Sequence, residues 1–335
     1  MTGFCGLADS EVRVGLERAL GAAGHELGGS VERRPYDYRT SFPLEELRIE
    51  LAGEGPVTLL FKQLDWEALE PEAQVAKPRF LHDPKREPAV YGRLLPQAPP
   101  GAPRCFAALV EPERHWLFLE RVEGRELCQV GERDLWEQAA RWLARFHTAM
   151  APDLDRYRTA GRLIDHDAAF YRRWMERAER FAPERADGSA ASVAWMRERH
   201  EQVVEALCAM PRTVLHGELY ASNVLVASDS EHSPVGRKSA ARVAPVDWEL
   251  AAAGSGLSDL AALVSGLLGE DRNAIAAAYA AESGTPPFDT RDLDLARLQV
   301  AIQWLGWAPP EWEPPEEHRH DWLAEAVELA EELEL

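Results

Sequence analysis

Apolar positions recur with helical spacing over Ala8–Ala23, where Val12, Leu16 and Leu20 share one side and Gly24 follows as a stop. The period then drops to two. Ser30–Tyr38 reads as a first strand, and Leu47, Ile49 and Leu51 alternate with polar residues in a second. The turn Gly53-Glu54-Gly55-Pro56 leads into VTLLFKQL, a third. Consecutive strands joined by turns predict an antiparallel meander rather than a β-α-β unit, which argues against a dinucleotide-binding fold. Pro84–Leu95 predicts a short helix, Pro96–Pro103 a proline-rich loop, and Cys105–Val110 with Trp116–Leu119 two further strands. After Gly124 helices are predicted at Glu132–Met150, Asp167–Phe181, Ala190–Ala209, Ser258–Gly269, Arg272–Glu282, Arg291–Trp307 and Asp321–Leu333. A small β region from Val214 to Trp248 interrupts them. Inside it, the polar stretch SDSEHSPVGRKSAAR reads as a mobile hairpin tip. The pattern contains no internal repeat. It divides the chain into a β-rich part at 1–119, with five strands and one inserted helix, a short link at 120–124, and a larger helical part at 125–335.

Composition narrows the partners. The chain has 335 residues, 46% hydrophobic and 28% charged, enough for a sizeable core in one large or two medium domains. Lys and Arg total 37 against 57 Asp and Glu, a formal charge of −20. That balance argues against a nucleic-acid backbone as the main partner, because phosphate chains need a positive field. It is compatible with a cationic substrate, although acidic solubility is the commoner reason for it. Cys5, Cys105, Cys128 and Cys208 form no C-x-x-C pair, so no zinc or redox motif is expected, and reduced thiols point to a cytoplasmic location. The N-terminal stretch lacks a basic start followed by an apolar block, and no apolar run reaches the roughly 18 residues of a membrane span.

The chemistry-bearing stretches are LHGELYASNVLV at Leu215–Val226 and APVDWEL at Ala244–Leu250. Phosphoryl transfer needs divalent metal at the nucleotide phosphates and a carboxylate that orients the attacking hydroxyl. Kinases meet this with a loop H-x-D-x-x-x-x-N and a metal-binding Asp after a β-hairpin. His216, Glu218 and Asn223 have that spacing, with Glu in place of Asp, and Asp247 ends the apolar run that follows. Asn223 offers an amide oxygen and Asp247 an anionic one, both suited to magnesium. In the first part of the chain, Lys62 ends VTLLFK with Leu60 on the same face, so Leu60 can pack on a purine while Lys62 reaches phosphates. Glu87 on the following helix can orient that lysine. In LFLERV, the Glu120 carbonyl and Val122 amide can hydrogen-bond an adenine edge. Taken singly, each has a plainer explanation. His216 is a packed loop residue, Asn223 a turn residue, and Asp247 a strand end. Lys62 is a surface lysine, and Glu87 is solvated or paired with Lys85 or Arg86. The joint spacing is what points to a kinase-like site.

HGELYASN, PVDWE followed by AGSGLSDLAAL, Phe61–Lys62 and the LARFH helix end at Leu143–His147 together resemble the aminoglycoside phosphotransferase and choline kinase branch of the protein-kinase-like fold. The resemblance covers nearly the whole chain in order and is strongest from Leu215 to Leu263. It implies an α+β, two-lobed fold with a small antiparallel sheet lobe, a larger helical lobe and the nucleotide between them. It also implies ATP- and Mg2+-dependent phosphorylation of a small-molecule hydroxyl. By that likeness Glu218 is the base or hydroxyl-orienting residue, Asn223 and Asp247 hold metal, Lys62 and Glu87 form the phosphate-anchoring ion pair, and Asp259 braces the catalytic loop with His216. Asp259 or Ser258 can alternatively be a helix cap.

The sequence departs from that family's pattern at two places. Glu218 carries one more methylene than Asp, which moves the carboxylate by about 1 Å, and such a shift can cost roughly 10²-fold in rate. A catalytically degenerate nucleotide-binding pseudokinase that acts by interaction is therefore the alternative, and nucleotidyl transfer is a further rival. No G-x-G-x-x-G loop is present either. Arg39-Thr40-Ser41-Phe42, with the Thr40 and Ser41 hydroxyls, is the expected phosphate cradle, and Gly28-Gly29-Ser30 competes with it. His216-x-Glu218 also matches the H-x-E of zinc deaminases, but the required P-C-x-x-C is absent. Trp304 and Trp307, three apart on one predicted helix, read as core in preference to an aromatic cage for a quaternary amine. Acceptors compatible with the resemblance are aminoglycosides, sugars, amino alcohols and antibiotic intermediates.

Overall fold

Helix α1 (Asp9–Ala22) lies against one face of a five-stranded sheet in the computed structural model, which describes residues 6–36, 41–184, 188–227, 242–283, 288–310, 312 and 320–335. The strands are β1 (Leu27–Pro35), β2 (Leu44–Leu51), β3 (Gly55–Gln63), β4 (Cys105–Glu111) and β5 (Arg114–Glu120), in the order β1-β2-β3-β5-β4 with all neighbours antiparallel. The two-residue period decides what each face does. Leu47, Ile49, Leu59 and Phe61 meet Val12, Leu16 and Leu20 of α1 in a closed apolar cluster with Trp116 and Phe118. Each such buried side chain contributes about 1.5–3 kcal/mol. Gly15 lets α1 approach closely, since a Cβ there would sit 2.2 Å from the Trp116 ring. Leu60 and Lys62 point the other way, into the cleft between the lobes.

In this part of the chain two predicted elements differ. β1 begins at Leu27 rather than Ser30, because Leu27 pairs with Leu51 and a bulge between Gly28 and Glu32 hides the alternation. The helix predicted at Pro84–Leu95 is broken into α3 (Arg86–Ala89), one wider π turn at Val90–Leu94 and a 3₁₀ turn at Leu95–Gln97. Pro88 and Pro96 have no N–H to give, so an unbroken i→i−4 ladder cannot form there. A short helix α2 (Pro71–Ala76), which has no apolar stripe to reveal it, precedes α3.

Beyond Glu120 the chain is mainly helical: α4 (Arg133–Met150), α5 (Leu154–Ala160), α6 (Ala168–Phe181), α7 (Ser189–Ala209), α8 (Leu257–Leu263), α9 (Gly269–Ser283), α10 (Thr290–Leu305) and α11 (Trp322–Glu332). The helix predicted at Ser258–Gly269 stops at Leu263, and Gly266 takes a positive φ of 77° in the turn after it. Among the described residues, six short strands complete the lobe: β6 (Gly124–Glu126), β7 (Ile164–Asp165), β8 (Arg212–Leu215), β9 (Val224–Ala227), β10 (Arg242–Pro245) and β11 (Ala252–Ser255). They form two small sheets, β10-β9-β6 and β7-β11-β8. Segment 228–241, the predicted hairpin tip, lies outside the described residues. No helix among the described residues is long and apolar enough to cross a membrane.

These small sheets position the chemistry. β8 and β11 pair antiparallel, as do β9 and β10 with Val224 opposite Pro245. The loop after β8 and the loop after β10 are thereby held side by side, and the Val246 N–H donates to the Asn223 carbonyl at 2.9 Å.

Candidate active site

Lys62 is buried on β3, and its Nζ lies 2.8 Å from Glu87 Oε2 and 2.7 Å from Asp247 Oδ1. Glu87 reaches it from α3 and Asp247 from the loop after β10, so one ammonium joins the two lobes. Burial opposes its charge, but the carboxylates of Asp247 and Glu87 outweigh that and hold Lys62 above its ordinary pKa. Burial also pushes the Glu87 carboxyl up, against the pull of Lys62, to about 7. For Asp247 the burial effect is overcome by Lys62, and its carboxyl stays below the ordinary value. Asp247 has a φ of 65°, left-handed and unfavourable for a residue with a Cβ. The next backbone amide, Trp248 N–H, donates to Glu87 Oε1 at 3.3 Å, which helps hold that turn in place.

The loop after β8 is tied from below. The buried Asp259 carboxylate accepts from His216 N–H at 2.6 Å and Gly217 N–H at 2.9 Å, and His147 Nε2 lies 3.2 Å from it. Burial opposes the Asp259 charge, but His147 and the amides keep its carboxyl below the ordinary range. Burial lowers His216, so the ring is neutral, with Nε2–H donating to the Val246 carbonyl at 2.8 Å and Nδ1 free to accept from Glu218 N–H at 3.4 Å. His216 and Asp259 thus fix the backbone on which Glu218 stands. Gly217 has a φ of 92°, and a Cβ there would lie 2.0 Å from the Leu250 carbonyl oxygen. Asn223 Nδ2 donates to the Glu218 carbonyl at 2.9 Å, which leaves its oxygen facing away from that bond. Glu218 itself is half-buried. Burial first, and then the nearby Glu249 carboxylate, push its carboxyl up to about 8.

Leu60, Lys62, Glu87, Glu120, Val122, Asn223 and Asp247 line one cavity of about 210 Å³ between the lobes. The Glu120 side chain is engaged by Arg242 Nη1 at 2.7 Å and by the Arg104 amide at 2.8 Å. Ser41 does not line this cavity; it is partly exposed, and its carbonyl accepts from Glu70 N–H at 3.1 Å. Thr40 lies outside the described residues. Phe42, the last residue of the expected phosphate cradle, is fully buried beneath two ammonium groups, with Lys62 Nζ at 5.4 Å and Lys77 Nζ at 5.1 Å from its ring centre.

Sequence reasoning did not find Lys77, Glu249 or Arg86. Lys77, buried just after α2, forms an ion pair with Glu249, two residues after Asp247. From the sequence, Arg86 reads only as a neighbour of Glu87. It is buried, and its Nη1 donates to the carbonyls of Glu249 at 2.7 Å and Leu81 at 2.9 Å. Glu249 stood in the PVDWE stretch, but nothing in QVAKPRF distinguished Lys77 from a surface lysine.

A sequence model described as the phosphotransferase enzyme family matches residues 72–299, more than half of the chain, a span that includes Lys77, Glu87, Glu218, Asn223, Asp247 and Asp259 and begins after Lys62. The protein belongs to that family. A search of curated protein sequences finds no match to this phosphotransferase-family chain. Among solved structures it is similar to a macrolide 2'-phosphotransferase from Brachybacterium faecium, at 18% identity and a TM-score of 0.57, over 93% of this chain and 97% of that one. It is also similar to the GDP complex of wild-type aminoglycoside 2'-phosphotransferase-IIIa, at 15% identity and a TM-score of 0.56, over 91% and 92% of the two chains. A choline kinase from Streptococcus pneumoniae follows at 15% identity and 0.54, over 92% and 94%. At these identities the likeness establishes the two-lobed kinase-like fold of this family member.

Proposed function

We propose that the protein moves the γ-phosphate of ATP to a hydroxyl of a small molecule, with residues 1–119 as the nucleotide lobe, 120–124 as the hinge and 125–335 as the catalytic and acceptor lobe. The observation that carries this is the Lys62 ammonium of the small lobe, held between Glu87 and Asp247 in the same cleft as Asn223. An ammonium has three N–H bonds, so two carboxylate contacts leave one for a phosphate oxygen. Val122, at the hinge, lines the same cavity, where its amide can meet a purine edge.

The residues fit magnesium. With its nitrogen bound to the Glu218 carbonyl, Asn223 presents its oxygen, and Asp247 adds a carboxylate, the hard donors that Mg2+ takes. Among the described residues no group of three His, Cys, Asp or Glu side chains could hold a metal alone, so phosphate oxygens and water complete the shell in this reading. Bound there, the ion neutralises charge on the phosphates. Lys62 positions the phosphates, and Glu218 aligns the acceptor. The acceptor oxygen bonds to the γ-phosphorus, the bond from phosphorus to the ADP oxygen breaks, and the hydroxyl proton passes to the Glu218 carboxylate.

ADP release with hydroxylated acceptors tests this, and Glu218→Ala should lower the rate by about 10²–10⁴-fold. Nucleotide binding without turnover, indifferent to that change, would favour a pseudokinase, and AMP attached to product would favour nucleotidyl transfer. Because a solved relative holds GDP, the assay compares ATP with GTP.

A further inference from the structure

On the acceptor side of the catalytic loop an aromatic band begins at Tyr220, two residues after Glu218. The Tyr220 hydroxyl accepts from Trp304 Nε1 at 2.7 Å, and Trp304 stacks on Trp322 with centroids 5.4 Å apart. Trp304 meets Trp307 at 5.8 Å, Trp307 stacks on Trp174 at 5.7 Å, and Trp174 meets Phe80 at 5.4 Å. Phe80 lies three residues after Lys77, the partner of Glu249, and Glu249 faces Glu218. The band thus starts beside Glu218 in the chain, at Tyr220, and ends beside Lys77, whose charge and that of its partner Glu249 both act on the Glu218 carboxyl. Tyr220, Trp304, Trp307 and Trp322 are all partly exposed, and Phe80 is 37% exposed.

At the Phe80 end the band carries positive charge. The Arg173 guanidinium stands 4.7 Å over the Phe80 ring, and Arg177 lies 5.9 Å from the same ring. Arg180 follows, 4.9 Å over Phe181. The three occupy one stripe of α6 at spacings of four and three, where like charges repel. Among the described residues none has a carboxylate partner, whereas Arg172 on the same helix pairs with Glu201. Arg177 donates instead to the carbonyls of Gly306 at 2.6 Å and Trp307 at 2.9 Å. Its burial and the neighbouring Arg180 push it down to about 10, a group short of negative charge. Glu176 stands in the same stripe, three residues after Arg173 and four before Arg180, yet among the described residues it forms an ion pair with none of them. A guanidinium fork matches a carboxylate or phosphate in two parallel hydrogen bonds.

We infer that the phosphate acceptor is a hydroxylated molecule bearing an anionic group, a carboxylate or a phosphate, which docks on Arg173 and Arg177 while its carbon frame lies along Trp304 and Trp307. This rests on the phosphotransferase reading above. The net charge of −20 is compatible with a cationic substrate, but the charge that a substrate meets is local.

The test uses the full chain, ATP and magnesium with three acceptor panels: hydroxy acids with sugar phosphates, neutral polyols and sugars, and amino sugars with amino alcohols. The anionic panel should contain the acceptor with the highest kcat/KM, and its two arms separate carboxylate from phosphate. With that acceptor, Arg173→Gln should raise the acceptor KM at least about tenfold, the worth of one charge-assisted hydrogen bond. It should leave kcat and the nucleotide KM within about twofold, and Arg173→Lys should restore part of the loss. Arg173 is exposed and its side chain makes no hydrogen bond among the described residues, so an unchanged thermal melt is expected of both variants. Preference for neutral or amine acceptors in a Glu218-dependent reaction overturns the anionic acceptor and leaves the phosphotransferase reading intact. So does an Arg173→Gln variant with an unaltered acceptor KM. If no panel accepts phosphate and Glu218→Ala leaves ATP consumption unchanged, the phosphotransferase reading fails and the anionic acceptor with it.

Discussion

Lys77→Met removes an ammonium whose side chain is 3% exposed and leaves the Glu249 carboxylate, 10% exposed, close to Glu218. A surface pair at this place would be worth about 0–1 kcal/mol, but breaking a buried pair by taking one partner costs about 3–5 kcal/mol, because the other charge stays in a poorly solvating site. Lys77→Met should therefore cost about 3 kcal/mol or more, and Glu249→Gln somewhat less, since the stranded ammonium still faces Glu218 and Asp247. The double variant leaves neither charge behind and should recover at least about 2 kcal/mol of the summed losses, as expected for contacting partners. Urea unfolding of the four proteins measures this. The same substitutions act on Glu218 in opposite senses: Glu249 pushes its carboxyl up and Lys77 pulls it down. The pH dependence of turnover should thus move to higher pH in Lys77→Met and to lower pH in Glu249→Gln. Additive losses within about 0.5 kcal/mol, or limbs that move the same way, would refute the pair as described.

Other outcomes follow from the same site. Glu218 must be ionised to accept a proton and its carboxyl is held at about 8, so turnover at low substrate should climb with pH up to about 8 and level above it; a flat profile across that range would count against the assignment. A carboxyl raised in the fold contributes stability that is full below its unfolded value, near 4.5, and is lost as pH rises to about 8, so the advantage of Glu218→Gln in thermal unfolding should grow across that window and then stay constant. Gly217→Ala places a Cβ 2.0 Å from the Leu250 carbonyl at a φ of 92°, and should destabilise by more than the ~1–2 kcal/mol of a left-handed backbone alone, with loss of activity; a wild-type melt would show that the loop yields.

Much of the fold was legible where periods are long. The α1 stripe and the alternation through Leu47, Ile49 and Leu51 placed the sheet and the helix that covers it. Strands of two to four residues, such as Ile164–Asp165 and Ala252–Ser255, offer no period to count, so the sheet that braces the catalytic loop was unread. In the site, the spacing of His216, Glu218, Asn223 and Asp247 picked out residues that fold together because β8 with β11 and β9 with β10 set their loops side by side. Lys77 and Arg86 were missed for a different reason: long cations on short helices look like surface residues until the partner is known, and their partner is 172 and 163 residues away in the chain.

Those missed residues change how the lobes are joined. Lys62, Lys77, Arg86 and Glu87 all belong to the small lobe, and all four attach to the segment Asp247-Trp248-Glu249. Two make ion pairs with its carboxylates, one binds the Glu249 carbonyl, and one accepts from the Trp248 amide. All four contacts involve a buried ionisable side chain, and such groups cannot be parted without leaving a charge or a polar group uncompensated. Opening the cleft at this end would strand several charges at once, while among the described residues of β1 and β2 no ion pair ties the sheet to that segment. The segment that carries Asp247 keeps its left-handed turn because both lobes hold it there.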